Sequence, residues 1–90
     1  MRRSADPGEA AQPVDPGDAS LDVRGLNCPL PLLRTRKAME RMAIGDRLTV
    51  EATDPLSAID IPHFCREAGH ALIASERDGA VLRFVIRRGA

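Results

Sequence analysis

The sequence predicts a two-layer α/β sandwich of order βαβαββ, an α+β arrangement in which a four-stranded mixed sheet carries two helices on one face. Three observations lead there. Apolar and polar residues alternate over Leu48-Thr49-Val50-Glu51-Ala52 and again through Leu82, Phe84 and Ile86, which is the signature of strands with one buried face. Two longer stretches, 29–42 and 54–69, carry apolar residues at helical spacing and are bounded by proline at the start and glycine near the end. Asp78-Gly79 between two apolar runs is a hairpin turn.

In chain order, residues 1–20 mix Pro7, Pro13, Pro16, Gly8 and Gly17 with Ala, Asp and Ser, a composition too poor in apolar surface to offset its ordering entropy. A disordered tail is expected there, and residues 21–90 form the functional domain. The arginines at 2 and 3 lack the apolar stretch that an export signal needs behind them. Leu21–Arg24 reads as a short strand, Gly25-Leu26-Asn27 as a turn, and the first helix follows, ended by Gly45-Asp46. The strand at 48–52 leads to Asp54-Pro55, which opens the second helix as N-cap and first helical residue, and Gly69 closes it. Strands over 70–76 and 80–87 complete the sheet, with Arg83 and Arg87 turned to water and Val81 and Val85 blurring that outer face.

Ninety residues leave no room for two lobes or an internal cofactor cavity, so any chemistry belongs at the surface. Thirteen basic residues balance thirteen acidic ones, and Phe64 and Phe84 are the whole aromatic complement, so direct nucleic-acid binding is not expected. No apolar run is long enough to span a membrane. Two cysteines are too few for a secreted disulfide framework, which makes a reducing cytoplasm the expected setting, and a monomer is expected.

Cys28 carries the most information. It stands between a turn and a helix and is followed by Pro29 and Pro31, so it is either the N-cap or two residues ahead of it, depending on which proline begins the helix. Both placements expose the thiol, and the positive end of the helix, aided by Arg24 and Arg34, is expected to favour a thiolate modestly, while the two prolines remove donors that would solvate the anion. The alternative is an inert, apolar cysteine. Cys65 falls on the apolar face of the second helix with Ser57, Ala58, Ile61, Phe64 and Ala68, and is expected to be buried and unreactive. His63 and Cys65 point to opposite sides of that helix, so no metal site is expected. On the first helix Leu32, Thr35, Met39, Met42 and Ala43 form the inward stripe. Arg34, Lys37 and Arg41 lie opposite, with Leu30 and Leu33 at their margin, and are either an ordinary solvated face or a docking surface beside Cys28.

The run Leu21-Asp22-Val23-Arg24-Gly25-Leu26-Asn27-Cys28-Pro29-Leu30-Pro31-Leu32 resembles the signature of the TusA/SirA-like sulfur-carrier family, whose mark is Cys-Pro-x-Pro after a short first strand. Gly45-Asp46, Thr53-Asp54-Pro55, Asp60-Ile61-Pro62 and Gly69-His70 also fit, so the resemblance spans about residues 20–90. Arg34 and Arg36 stand where lysine is common in the family, keeping charge but not geometry. The resemblance implies that Cys28 accepts sulfane sulfur as a persulfide, with Asp22, Arg24, Gly25, Pro29 and Pro31 supporting the motif and no cofactor. It implies donors such as a cysteine desulfurase or a rhodanese, and a sulfur-accepting relay protein. Destinations in the family include tRNA 2-thiouridine synthesis, molybdenum cofactor metabolism and sulfur oxidation. Two other readings stand beside it: a thiol-redox protein, which would want a resolving cysteine near Cys28, and a regulatory interaction module that does not use the thiol.

Overall fold

The computed structural model describes the backbone of residues 11–15, and residues 17–90 with their side chains. The elements are β1 (Ala11–Asp15), β2 (Asp18–Val23), α1 (Leu30–Glu40), β3 (Arg47–Ala52), α2 (Ser57–Ala68), β4 (Ala71–Asp78) and β5 (Val81–Arg87). The strands form one sheet in the order β1-β2-β3-β5-β4. The β2–β3 pair is parallel, as a helical crossover through α1 requires, and the remaining pairs are antiparallel.

Register places the apolar residues in rows across the helix-covered face. Leu21, Val50 and Phe84 lie side by side, as do Val23, Ala52 and Leu82, and Ala19, Leu48, Ile86 and Leu72. Ala38 and Met39 of α1 and Ile61 and Cys65 of α2 close over these rows. Fully burying a side chain such as Phe84 contributes about 1.5–3 kcal/mol. On the open face Asp22, Glu51, Arg83 and Glu76 fall in one row, where Arg83 donates to Glu51 from Nε at 3.1 Å and Nη2 at 2.9 Å. Val81 and Val85 are half-buried on that face, the departure from strict alternation that the sequence contains.

The four strands and two helices expected from the sequence are present. The tail reading needs correction within the described residues: β1 pairs with β2, and β2 starts at Asp18 rather than Leu21. Composition missed this because the added strand needs little apolar surface. Pro13 is acceptable in β1 because an edge strand leaves one row of donors unpaired. Arg47 pins the start of β2 through its backbone N–H to the Gly17 carbonyl at 2.6 Å and its guanidinium to Asp18 at 3.0 Å. Residues 1–10 and 16 lie outside the described residues.

The C-terminal end of α2 follows the sequence signal, whereas its regular turns begin at Ser57 rather than at Pro55. Gly69 takes a left-handed conformation at φ +81°, which lets the His70 N–H reach the Cys65 carbonyl at 2.8 Å and close α2. Arg88, arriving from the end of β5, donates to the carbonyls of Met39, Glu40 and Met42 and satisfies the C-terminus of α1. Among the described residues no helix is long and apolar enough to cross a membrane.

Candidate functional site

Parallel pairing of β2 and β3 brings their C-terminal ends together, so the loop after β2 meets the loop after β3 at one edge of the sheet. The first loop carries Cys28 and the second carries Thr53 and Asp54. Gly25 turns the chain at φ +81°, a conformation that costs a residue with Cβ, and donates its N–H to Thr53 Oγ1 at 2.8 Å. Asn27 accepts the Leu30 N–H at 2.8 Å, which leads the chain into α1. The Cys28–Pro29 peptide is cis, Pro29 is the N-cap of α1, and Pro31 is buried in the first turn. Cys28 thus stands immediately ahead of the N-cap, between the two placements the sequence left open. Thr35, fully buried below, donates its hydroxyl to the Pro31 carbonyl at 2.8 Å.

Two carboxylates from the second loop and α2 face Cys28. Its backbone N–H donates to Asp54 Oδ2 at 2.5 Å, while Asp54 Oδ1 accepts the Leu56 N–H at 3.1 Å. Its Sγ lies 3.6 Å from Asp60 Oδ2, with the thiol donating. The side chain is exposed. The Cys28 thiol is pushed above its ordinary range, first by lost hydration, then by the hydrogen bond to Asp60 and the negative charges of Asp60 and Asp54.

This overturns the expected thiolate. Fewer N–H groups make the helix start positive than in an ordinary helix, because Pro29 and Pro31 have none and that of Leu30 is used by the Asn27 carbonyl. Arg24 does not reinforce the thiolate either, because it is engaged with Asp22 through both side chain and backbone, at 2.9 Å from Nε and 3.0 Å from N–H. That contact holds the Asp22 carboxyl below its usual range. The charges that shift the thiol are those of Asp60 and Asp54, with no basic side chain among them. Asp54 also differs from its expected role: it does not cap the regular helix, which begins at Ser57, and ties Cys28 to the turn ahead of it. Cys65 is buried at 2% exposure, with its thiol raised by burial.

Large apolar side chains are exposed on the helix turns that adjoin the Cys28 contacts. Leu30 and Leu33 on the first turn of α1 are 42% and 50% exposed, and Leu56 and Ile59 at the start of α2 are 50% and 67% exposed. Leu30, Leu33, Arg34, Lys37 and Arg41 run as one exposed stripe down α1 from the end next to Cys28. Sequence reasoning did not single out Thr53, Asp54, Asp60, Leu56 or Ile59 as site residues. A signal existed for the last two, since apolar side chains opposite the Ser57, Ile61 and Cys65 stripe break the amphipathic pattern.

Comparison with known proteins gives a consistent set. The family described as sulfurtransferase TusA matches residues 19–88. Two proteins of Neisseria meningitidis named as candidate sulfur carriers, NMA0882 of serogroup A and NMB0681 of serogroup B, are each 56% identical over 61 residues, covering 67% of this chain and 82% of theirs. The crystal structure of a SirA-like protein, DSY4693 of Desulfitobacterium hafniense, superposes with a TM-score of 0.69 at 25% identity, over 79% of this chain and 97% of that one.

Proposed function

This chain belongs to the sulfurtransferase TusA family, and from that premise we propose that it carries sulfur as a persulfide on Cys28, received from one protein and relayed to another. The observation that carries this reading is an exposed thiol on an anchored loop that leads into α1, where Leu30 and Leu33 are exposed, and that is tied to the start of α2, where Leu56 and Ile59 are exposed. A relay sulfur must meet another protein's cysteine, so it needs an accessible thiol and a surface that sheds water on contact.

The Cys28 thiolate attacks the terminal sulfur of a donor persulfide. A bond forms from Sγ to that sulfur, the donor's own S–S bond breaks, and the donor cysteine leaves as a thiolate that takes up a proton. Repetition with an acceptor thiol returns Cys28 to its starting state, with no net oxidation of the carrier. Donors of this chemistry are a cysteine desulfurase or a rhodanese. The acceptor decides whether the sulfur goes to tRNA thiolation, molybdenum cofactor metabolism or sulfur oxidation. The cytoplasm suits a protein whose two thiols are both free. A redox role finds less support, because buried Cys65 offers no accessible resolving thiol.

Intact mass spectrometry after incubation with a cysteine desulfurase and cysteine tests this directly. The wild type and Cys65→Ser gain one sulfur that reductant removes, and Cys28→Ser gains none. Equal loading of Cys28→Ser overturns the proposal.

A further inference from the structure

We propose that Asp60 determines which partners Cys28 exchanges sulfur with, by favouring those that carry positive charge beside their reacting sulfur. This rests on the sulfur-carrier reading and adds the chemistry of the partner to it.

In sulfur exchange the attacking, central and leaving sulfurs share a negative charge. Asp60 Oδ2 is 3.6 Å from the attacking atom and has the same sign as that charge. Asp54 also bears negative charge near the thiol, but its two oxygens already accept the Cys28 and Leu56 N–H groups, which leaves it less open to a partner's cation. Asp60, by contrast, makes no ion pair among the described residues. Left alone it slows reaction with every partner alike. A cation brought within a few ångströms of it cancels that effect, and an anion adds to it.

The exposed apolar residues on the adjoining helix turns strengthen the discrimination. When a partner covers Leu30, Leu33, Leu56 and Ile59, water leaves, and an unpaired carboxylate beside a sulfur anion becomes more costly. A partner with a lysine or arginine beside its cysteine pairs with Asp60 in that dry contact, whereas one with an acidic neighbour is rejected.

Small disulfides of known charge read this selectivity without any sulfur donor. The Cys65→Ser protein, with and without Asp60→Asn, is reacted near neutral pH and low salt with cystamine, which is dicationic, with dithiodipropionate, which is dianionic, and with neutral hydroxyethyl disulfide. In each case the Cys28 thiolate forms a mixed disulfide and expels one small thiolate, which is followed by mass. The ratio of cystamine to dithiodipropionate rates should fall about 3- to 10-fold in Asp60→Asn, the leverage of one charge a few ångströms away in water. Any common change in thiolate content appears with the neutral disulfide and cancels in the ratio. Asp60→Glu should restore much of the ratio, and high salt should narrow the wild-type preference. Should Asp60→Asn fail to fold, Asp60→Ser and the wild-type salt series give the same reading. An unchanged ratio in a folded variant overturns the proposal. Because no persulfide is involved, a charge preference in a protein that fails to load sulfur, or loading without a preference, separates this proposal from the carrier reading.

Discussion

Asp54 and Cys28 stand 26 residues apart in sequence and are joined by a hydrogen bond of 2.5 Å from the Cys28 N–H to Oδ2. The other oxygen holds the Leu56 N–H at 3.1 Å, so one carboxylate fixes the thiol loop to the start of α2. Asp54→Ala should speed hydrogen exchange of the Cys28 amide by about tenfold or more. It should lower stability by about 0.5–2 kcal/mol, as loss of a capping side chain does. Exchange followed by NMR and urea unfolding check the two effects, and unchanged exchange would mean that the Gly25–Thr53 bond alone holds the loop.

The basic stripe on α1 is proposed as a docking surface. Arg34→Glu combined with Lys37→Glu should slow sulfur transfer from a protein donor, most strongly at low salt, and leave the melting temperature nearly unchanged because both residues are exposed. Transfer at the wild-type rate in low salt would reduce the stripe to ordinary solvated surface.

Removing residues 1–20 has a different expected outcome from the one composition suggests. The cut takes away β1, the Asp18–Arg47 ion pair and Ala19, which packs against the core, and leaves β2 with its last three residues. Thermal unfolding of the truncated protein should show a loss of about 1–3 kcal/mol. An unchanged melting temperature would show that β2 needs only Leu21–Val23.

Acid should weaken the fold through His70. Its ring packs edge-on against Phe64, and its Nδ1 accepts the Gly89 N–H at 3.1 Å, which needs the neutral form. Burial, and then the charge of Arg88, hold its pKa below the ordinary value near 6.5. The unfolded chain therefore takes the proton first. The contribution of neutral His70 is complete above that ordinary value and is lost as pH falls from there through the lowered folded value. Urea midpoints measured from slightly alkaline to mildly acidic pH should decline in this window, and His70→Gln should flatten the decline.

Much of the architecture was legible because it is written in local patterns. Leu48-Thr49-Val50-Glu51-Ala52 alternates, Gly69 sits one residue past a helix, and Asp78-Gly79 marks a reversal, which the structure builds with Gly79 at φ +60°. The accessible Cys28 and the buried Cys65 followed from the same patterns. The sign of the effect on the Cys28 thiol did not, because it comes from lost hydration in the folded loop and then from Asp60 and Asp54, which lie far along the chain and arrive only when β2 and β3 align in parallel. Neither residue spacing nor a helix-end argument reports that meeting. β1 was hidden for another reason: an edge strand held by backbone hydrogen bonds needs no apolar periodicity.

The strand order has a consequence for a chain made from one end. β5 lies between β3 and β4, although both are synthesised before it. Until β5 emerges from the ribosome, β3 has one bare edge, β4 has no neighbour to pair with, and Phe84 and Ile86 are missing from the rows that cover Val50 and Leu48. The nascent chain can form helices and dock β2 on β3, but it cannot close its sheet. Completion of the fold therefore waits on β5, and the waiting strands are the part of this protein that most needs shielding from other chains.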